Sequence, residues 1–267
     1  MFAKINHVAV VSDNYGQLAE FYKAIFGMKA SDKTRPGRAV NVGDGYVGLN
    51  INPRRAGRSA GLDHFGIQVE DCPIVFDRMK RKYPSVKWLQ RPSTRPFAGI
   101  TTHDPDGTMF DISQKDMKNR AGAYVDNTGE TNPRHIDHVA IRVMNPEKIA
   151  EFYHELFELP LANRREGDPN YYLTDGHVTL VVMPWDITDY KGTGIITLGM
   201  DHFGFKVEDL DAFRSDLQTF VDNNPRLAPA SFSGPEGAAL MNLFQRSCPM
   251  GELKMADCDG ILLDVAA

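Results

Sequence analysis

Apolar residues along the chain follow a helical spacing in some segments and form short strand-like runs in others. Leu18, Phe21, Tyr22 and Ile25 are spaced i, i+3, i+4 and i+7, which is the apolar stripe of an amphipathic helix. Short runs rich in β-forming residues, such as 38–52 and 170–183, follow such stripes and are interrupted by Gly/Asp turns. Helical patterns are predicted at four places, about 15–28, 71–83, 147–158 and 209–222. The pattern therefore predicts a β-α-β-β-β module that is used four times.

Several sequence blocks occur twice, in the same order, in the two halves of the chain. Ile-Asn-His-Val-Ala at 5–9 matches Ile-Asp-His-Val-Ala at 136–140, and Ala-Glu-Phe-Tyr occurs at 19–22 and again at 150–153. Two longer patterns also recur: D-H-F-G-x-x-V-E-D at 63–71 and 201–209, and D-x-D-G-x-x-x-D at 104–111 and 257–264. Such a series indicates an internal duplication. We expect an N-terminal domain at 1–115, a polar linker at 116–134 and a C-terminal domain at 135–267, each containing two modules.

The second half contains an additional segment that the first half lacks. Residues 223–252 are rich in Pro and Gly and follow no clear period, so we predict a long irregular insertion. Phe232, Leu240, Met241 and Phe244 favour a lid or a contact in a homo-oligomer over a simple surface loop.

Composition excludes several classes of protein. The 267 residues carry 30 Lys+Arg and 35 Asp+Glu, a formal net charge of −5, which argues against coating nucleic acid or an anionic membrane. Membrane-spanning segments are not predicted, and Lys4, Asn6 and His7 argue against a signal peptide. The three cysteines form no C-x-x-C pair, so we expect a cytoplasmic protein without disulfides or a cysteine-based zinc site.

Four histidines, one in the first strand of each module, are the candidate chemical groups. His7, His64, His138 and His202 are each followed two residues later by Ala or Gly, on the strand face opposite the apolar core. We interpret this face as the wall of a cavity. A single histidine of this kind is usually a hydrogen-bonded core residue, but four at the same place in a repeat favour ligands.

Asp111 and Asp264 extend this pattern, because each lies in a strand after an Asp-Gly turn with apolar neighbours. A carboxylate in such a strand needs a partner, which is either a surface cation or a metal ion. Two imidazoles and one carboxylate form the facial triad that holds a divalent metal with open coordination positions. The remaining charge of about +1 suits a small-molecule substrate that chelates through two adjacent oxygens.

These motifs resemble the vicinal oxygen chelate superfamily, which includes glyoxalases, bleomycin-resistance proteins and extradiol dioxygenases. The resemblance covers nearly the whole chain and implies an α+β fold in which four βαβββ modules pair into two domains with strongly curved sheets. It implies metal ligands at His138, His202 and Asp264, and at His7, His64 and Asp111. Pairing of modules across the halves would instead group His7 with His202 and Asp264, and His138 with His64 and Asp111.

The four-module form is most similar to the extradiol dioxygenases, which open an aromatic ring with adjacent oxygens. This resemblance implies Fe(II), with Mn, Zn, Ni or Co as other metals, and places an acid/base histidine near His177. The equivalent residue in the first half is Tyr46, which favours the second half as the active one. An exposed turn histidine is the other interpretation of His177.

Two departures from the dioxygenase pattern leave other activities open. Both halves have Asp where the family usually has Glu, and Lys254 replaces a tyrosine, with Thr101 at the corresponding position of the first half. Lys254 is either a second catalytic residue, donating a hydrogen bond or acting as a base, or a surface lysine. The alternatives to ring cleavage are an isomerase or lyase with a metal-stabilised enediolate, and a metal-free protein that sequesters a ligand.

Overall fold

The computed structural model describes residues 2–30, 39–92, 99–117, 132–194 and 198–267. The middle of the expected linker, 118–131, lies outside the described residues. None of the helices in the described part of the chain has the length and apolar character needed to cross a membrane.

The first half contains eight strands and two helices in its described residues. In chain order they are β1 (Ala3–Ser12), α1 (Tyr15–Phe26), β2 (Lys29–Ala30), β3 (Val40–Gly43), β4 (Gly48–Pro53), β5 (Gly61–Val69), α2 (Cys72–Lys82), β6 (Trp88–Gln90), β7 (Ile100–His103) and β8 (Met109–Gln114). This order is two successive β-α-β-β-β modules, as the sequence predicts.

The described second half has fewer strands and more helices. Its elements are β9 (His135–Val143), α3 (Pro146–Phe157), β10 (Tyr171–Thr174), β11 (Thr179–Pro184), α4 (Ile187–Tyr190), β12 (Gly199–Lys206), α5 (Leu210–Asn223), α6 (Gly234–Ser247), β13 (Leu253–Ala256) and β14 (Leu262–Ala266), with a 3-10 turn at Pro225–Leu227. Each module here has two strands after its first helix instead of three. In the third module the missing strand is reduced to a single bridge between Leu161 and Leu173.

The prediction that residues 223–252 are irregular is wrong over α6. Pro235 lies in the first turn, where its missing N–H costs no hydrogen bond. Glu236, Ala238 and Leu240 follow and have high helix propensity. Local propensity therefore outweighs the surrounding Gly and Pro residues.

Each half forms its own mixed sheet. The strand orders are β2-β3-β4-β1-β5-β8-β7-β6 and β10-β11-β9-β12-β14-β13, and in the described residues neither sheet closes into a barrel. The first strands of the two modules pair antiparallel in both sheets, β1 with β5 and β9 with β12. Modules therefore pair within the halves, and pairing across the halves does not occur in either sheet.

Helices α1, α2, α3 and α5 lie on the apolar faces of the sheets, where a single hydrophobic cluster includes residues from both halves. Phe26 of α1 stacks on Phe205 of β12 at 3.6 Å between ring centroids, and Phe157 of α3 meets Phe110 of β8 at 5.8 Å. Helices of each half thus pack against the sheet of the other, which joins the halves through buried aromatic surface.

The repeated sequence blocks include several of the polar contacts of this architecture. Asp71 and Asp209, which end the D-H-F-G-x-x-V-E-D blocks, cap helices α2 and α5 by accepting a backbone N–H. The backbone N–H of Ile5 donates to Asp175 of the other half, and that of Ile136 donates to Asp44, both at 2.8 Å. Much of the duplicated pattern therefore encodes caps and contacts between halves.

Candidate metal centres

An Asn or Asp residue precedes each of the four strand histidines and holds its ring. The ring Nδ1 atoms lie within hydrogen-bond distance of the preceding side chain: His7 of Asn6 (3.0 Å), His64 of Asp63 (2.8 Å), His138 of Asp137 (2.7 Å) and His202 of Asp201 (2.5 Å). Oxygen acceptors at Nδ1 favour the tautomer in which Nε2 is available to a metal ion. The Asx-His pair, which the sequence contains four times, is the sequence signal of this arrangement.

The small residues beside the histidines make room for another histidine. His7 lies opposite Gly66 in the β1–β5 pair, and His138 lies opposite Gly204 in the β9–β12 pair. A Cβ on Gly66 would overlap the His7 ring, and one on Gly204 would overlap the His138 ring. The space predicted as a cavity wall is therefore filled at these two positions by the paired strand's imidazole.

His7, His64 and Asp111 come together in the first sheet and are called the N-terminal triad here. Nε2 of His64 lies 3.2 Å from Asp111 Oδ2, and Nε2 of His7 lies 3.9 Å from the same oxygen. The two rings are perpendicular, with centroids 5.5 Å apart. The Thr101 hydroxyl donates to the other carboxylate oxygen at 2.5 Å. This arrangement presents two imidazole nitrogens and one carboxylate oxygen to a common point.

The sheet face around this triad is polar. In the strand register Asn50 lies beside Ala9, and Asn41 lies opposite Asn50, so both amides share the face that carries His7. Both residues are buried, and their Oδ1 atoms accept no hydrogen bond within the described part of the chain. The His64 side chain is 15% exposed. The N-terminal triad thus adjoins unsatisfied polar groups and has one ligand near solvent.

His138, His202 and Asp264 come together in the second sheet, and Cys248 joins them. One ligand atom from each of these four residues lies within 4.8 Å of every other, and we call the group the C-terminal cluster. The side chains of His138, His202 and Asp264 are 0% exposed. The sequence predicts no cysteine-based zinc site, and the structure brings a thiol to this group because the chain after α6 returns Cys248 to the sheet.

Lys254 is also part of this site, and its interpretation as a surface lysine is wrong. Its Nζ lies 2.5 Å from Asp264 Oδ2 and donates to the backbone carbonyls of Cys248 (2.8 Å) and Gly251 (3.0 Å). In the register of β13 and β14 Lys254 is opposite Asp264, just as Thr101 is opposite Asp111 in the first half. The carboxylate of Asp111 is therefore held by a hydroxyl group, and that of Asp264 is held by an ammonium group.

The residues of the N-terminal triad and of the C-terminal cluster shift one another's pKa values. Burial favours the neutral carboxyl of Asp264, but the adjacent His138 and Lys254 outweigh it and lower its pKa to about 2. Burial would raise the pKa of Cys248, yet the two imidazoles beside it lower the value to about 6. Burial opposes the charged form of His64, whereas Asp111 and Asp63 raise its pKa to about 9. Without a metal ion, protons and mutual ion pairs balance the donor charges.

An apolar group covers the C-terminal cluster. Cys248 packs with four buried residues of the second sheet and with the partly buried Met250. The four are Ala140, Tyr172, Val181 and Met183. Phe244 of α6 lies over His202, with 4.7 Å between ring centroids. The insertion therefore fills the face that is polar in the first sheet.

His177 is a member of neither group of ligand-type side chains in the described residues. Its side chain is exposed and its ring lies 4.3 Å from the ring of Tyr46, the equivalent residue of the other half. Asp175 accepts its backbone N–H and so fixes the turn. The role of His177 as an acid/base group stays a prediction, and the turn places its ring in the contact between the halves.

Both groups have the donor chemistry of a divalent-metal site. In the C-terminal cluster, His138 Nε2, His202 Nε2 and Asp264 Oδ1 are buried and make no hydrogen bond within the described residues. Buried polar atoms that converge without partners are costly unless a cation joins them. The N-terminal triad offers the two-histidine, one-carboxylate set.

Family comparison agrees with this arrangement. The model of the Glyoxalase/Bleomycin resistance protein/Dioxygenase superfamily matches residues 4–112 and 135–238. The chain belongs to this superfamily. The two matched segments correspond to the two duplicated halves, so the superfamily resemblance inferred from the sequence is confirmed. A search of curated proteins gave no significant match.

Solved structures of similar fold cover the whole chain at low sequence identity. A Mn(II)-bound glyoxalase from Novosphingobium aromaticivorans has a TM-score of 0.64 and 12% identity, covering 99% of this chain and 81% of its own. The 2,3-dioxygenase LapB from Pseudomonas sp. KL28 has a TM-score of 0.63 and 13% identity, covering 98% and 91%. A mutant of 4-hydroxymandelate synthase from Streptomyces coelicolor has a TM-score of 0.62 and 16% identity, covering 99% and 92%. These similarities establish the fold.

Proposed function

We propose that this protein is a divalent-metal-dependent enzyme whose working ion is held by the N-terminal triad. The substrate is a small molecule with two adjacent oxygens, and the reaction is extradiol-type cleavage of a catechol-like ring. The observation that carries the proposal is the contrast between the two sheets. The triad has three donors on a polar face with His64 partly exposed, whereas apolar side chains cover the C-terminal cluster.

The triad suits a working ion because it leaves coordination positions for other ligands. One carboxylate and two neutral imidazoles leave a charge of about +1 on a divalent ion, which favours an anionic substrate that chelates through two oxygens. When bound, such an ion supplies Lewis-acid chemistry, and Fe(II) adds reactivity toward O₂. We favour Fe(II), with Mn(II) next, because nitrogen and carboxylate donors without thiolate suit these ions.

Residues around the triad hold the donors in place. Asn6 and Asp63 accept from Nδ1 of His7 and His64, so that Nε2 is directed toward Asp111. The Thr101 hydroxyl donates a hydrogen bond to Asp111 Oδ1, and Oδ2 of the same carboxylate faces the two imidazoles. Preorganised donors of this kind do not have to be ordered when a ligand binds.

Asn41 and Asn50 provide polar groups for orienting the substrate. They lie on the same sheet face as His7, and each has a buried Oδ1 that accepts no hydrogen bond in the described residues. A substrate hydroxyl or a water molecule would satisfy them. A substrate placed by these amides would approach the triad along β3, β4 and β1.

The reaction balances without any further co-reactant. O₂ is reduced as the catechol is oxidised, the ring carbon–carbon bond next to one hydroxyl breaks, and both oxygen atoms enter the ring-opened acid. Anaerobically Fe(II)-loaded protein should therefore consume one O₂ per catechol and form a yellow product. His64→Ala should abolish this turnover, and His154→Ala should retain it, since His154 is exposed on α3. Iron-loaded protein that is inactive on a broad panel of catechols would overturn ring cleavage.

An isomerase or lyase is the second candidate. The observation that favours it is the contact of the His177 ring with Tyr46, because an isomerase or lyase does not require the acid/base histidine that the dioxygenase resemblance implies. Activity under nitrogen with Mn(II), Ni(II), Co(II) or Zn(II), on substrates that form an enediolate, would establish this alternative. Purified protein that binds its ligand tightly but contains no metal would instead indicate a sequestering protein.

A further inference from the structure

We propose that the C-terminal cluster is a second, closed metal site, in which Cys248 is a thiolate ligand and the bound ion is Zn(II) or a similarly thiophilic ion. This site fastens the insertion to the second sheet and takes no substrate. The inference is independent of the catalytic role of the N-terminal triad, because each concerns a different set of ligands.

The donors of the cluster match a closed zinc site in type and number. Two imidazoles, one thiol and one carboxylate place their ligand atoms within 4.8 Å of one another, and all four residues are buried. Structural zinc sites use four such nitrogen, sulfur and oxygen donors, whereas catalytic sites keep one position open. His138 Nε2, His202 Nε2 and Asp264 Oδ1 make no hydrogen bond in the described residues and are the atoms that such an ion would join.

Charge balance explains why the thiol is needed. Lys254 places an ammonium group 2.5 Å from Asp264, where the first half has the neutral Thr101. A divalent ion with one carboxylate and this ammonium would leave two buried positive charges, which is costly. A thiolate from Cys248 reduces this net charge to about +1, which is the net charge that the N-terminal triad would have with a divalent ion bound. Cys248 thus offsets Lys254, and the N-terminal triad has no counterpart of this pair within the described residues.

The cluster connects the insertion to three strands. Cys248 directly follows α6, while His138, His202 and Asp264 lie on β9, β12 and β14. Hydrogen bonds support the same junction, because Arg142 donates to the Ser247 hydroxyl at 3.0 Å and Asn170 donates to the Ser247 carbonyl at 2.8 Å. An ion bound here would fix the end of α6 against the sheet.

Access to this site is blocked by the molecule itself. Tyr172, Val181 and Met183 pack with Cys248 over the sheet face, and Phe244 covers His202. A substrate could reach the ion only by displacing this apolar layer and the end of the insertion. The expected role is therefore structural.

X-ray absorption at the zinc edge of wild-type protein loaded with two equivalents of Zn(II) tests the proposal. We expect one sulfur scatterer at about 2.3 Å for every two bound zinc ions. Only nitrogen and oxygen scatterers would overturn it. A single ion per chain with one sulfur scatterer per ion would still support it and would count against metal binding by the N-terminal triad instead. This measurement needs no variant, so it does not depend on how a cysteine substitution affects folding.

Cobalt substitution provides a second readout. Wild-type protein with two Co(II) ions should show thiolate-to-cobalt charge transfer in the near ultraviolet, and Cys248→Ser should lose it. Cys72→Ser and Cys258→Ser are the matched controls, because both thiols are partly buried and lie outside the cluster. Charge transfer that persists in Cys248→Ser, or that is lost in a control, would contradict the assignment.

Discussion

The hydroxyl of Tyr22 donates a 2.7 Å hydrogen bond to Asp257 Oδ2, which joins a helix of the first half to a turn of the second. Tyr153 makes the reciprocal contact with Asp104 Oδ2 at 3.2 Å. The other oxygen of Asp257 accepts the backbone N–H groups of Asp259 and Ile261. The tyrosine of the Ala-Glu-Phe-Tyr block in each half thus bonds the first aspartate of the D-x-D-G block in the other half. The two repeated blocks that reveal the duplication therefore form the same contact twice.

Removing the Tyr22 hydroxyl should destabilise the fold. Tyr22→Phe leaves a buried carboxylate with one donor fewer, and hydrogen bonds to charged groups contribute about 1.5–3 kcal/mol. Urea unfolding at pH 8 should show a loss of this size. Tyr15→Phe is the control, because Tyr15 lies at the start of the same helix and takes no part in the contact. An unchanged unfolding midpoint for Tyr22→Phe would rule out a stabilising role.

Asp257 should make stability depend on pH. Burial raises its pKa to about 6, from about 3.9 in an unfolded chain. Because its pKa is higher in the folded state, Asp257 makes its full contribution to the free energy of unfolding below pH 4. This contribution is lost as the pH rises through 6. The difference of about two units between the folded and unfolded pKa values corresponds to about 3 kcal/mol in the free energy of unfolding. Wild type should therefore lose stability relative to Asp257→Asn between pH 4 and pH 7, as measured by urea unfolding, and parallel pH profiles for the two proteins would contradict this.

The two strand glycines should be required for metal binding, each at its own site. An alanine Cβ at Gly66 would displace His7, and one at Gly204 would displace His138. We expect Gly66→Ala to weaken binding at the N-terminal triad at least tenfold, as judged by calorimetric metal titration. Gly16→Ala in α1 is the control, because a Cβ there has open space and alanine favours a helix. Equal metal affinity in Gly66→Ala and Gly16→Ala would show that the cross-strand fit is unimportant.

His177→Ala should leave turnover nearly unchanged. General acid–base groups typically contribute 10²–10⁴-fold to rate, and His177 lies in an exposed contact with Tyr46. We expect kcat within about twofold of wild type on whichever substrate is turned over. A loss of 10²-fold or more, with metal content unchanged, would restore the role that the sequence resemblance implied.

Local patterns in the sequence predicted the first helix of each module well, whereas they missed α4 and α6 and gave less of the long-range placement. The patterns at 147–158 and 209–222 correspond to Pro146–Phe157 and Leu210–Asn223, because apolar spacing and Asx caps are written within a few residues. The candidate histidines and aspartates followed from the repeat, since equivalent strands place equivalent residues, and their grouping into two sets followed from the superfamily resemblance. Cys248 was missed because it reaches the cluster only through the fold of a non-repeated insertion.

The half that we propose as the working one differs from the half that His177 favoured, for the same reason. His177 favoured the second half only by its position after a strand-forming turn, and the pseudo-symmetric contact with Tyr46 is invisible in a single module. The apolar cover over the C-terminal cluster likewise comes from residues far apart in the chain. Such features depend on how the halves and the insertion pack.

Metal content and turnover of Asp111→Asn test the central claim most directly. Asp111 supplies the carboxylate of the N-terminal triad, and its loss should remove one metal ion per chain and abolish turnover while the fold is retained. Elemental analysis and steady-state kinetics on the same preparation would measure both quantities. Loss of one ion together with all activity is the predicted result. A variant that has lost one ion per chain but turns over at the wild-type rate would contradict the account.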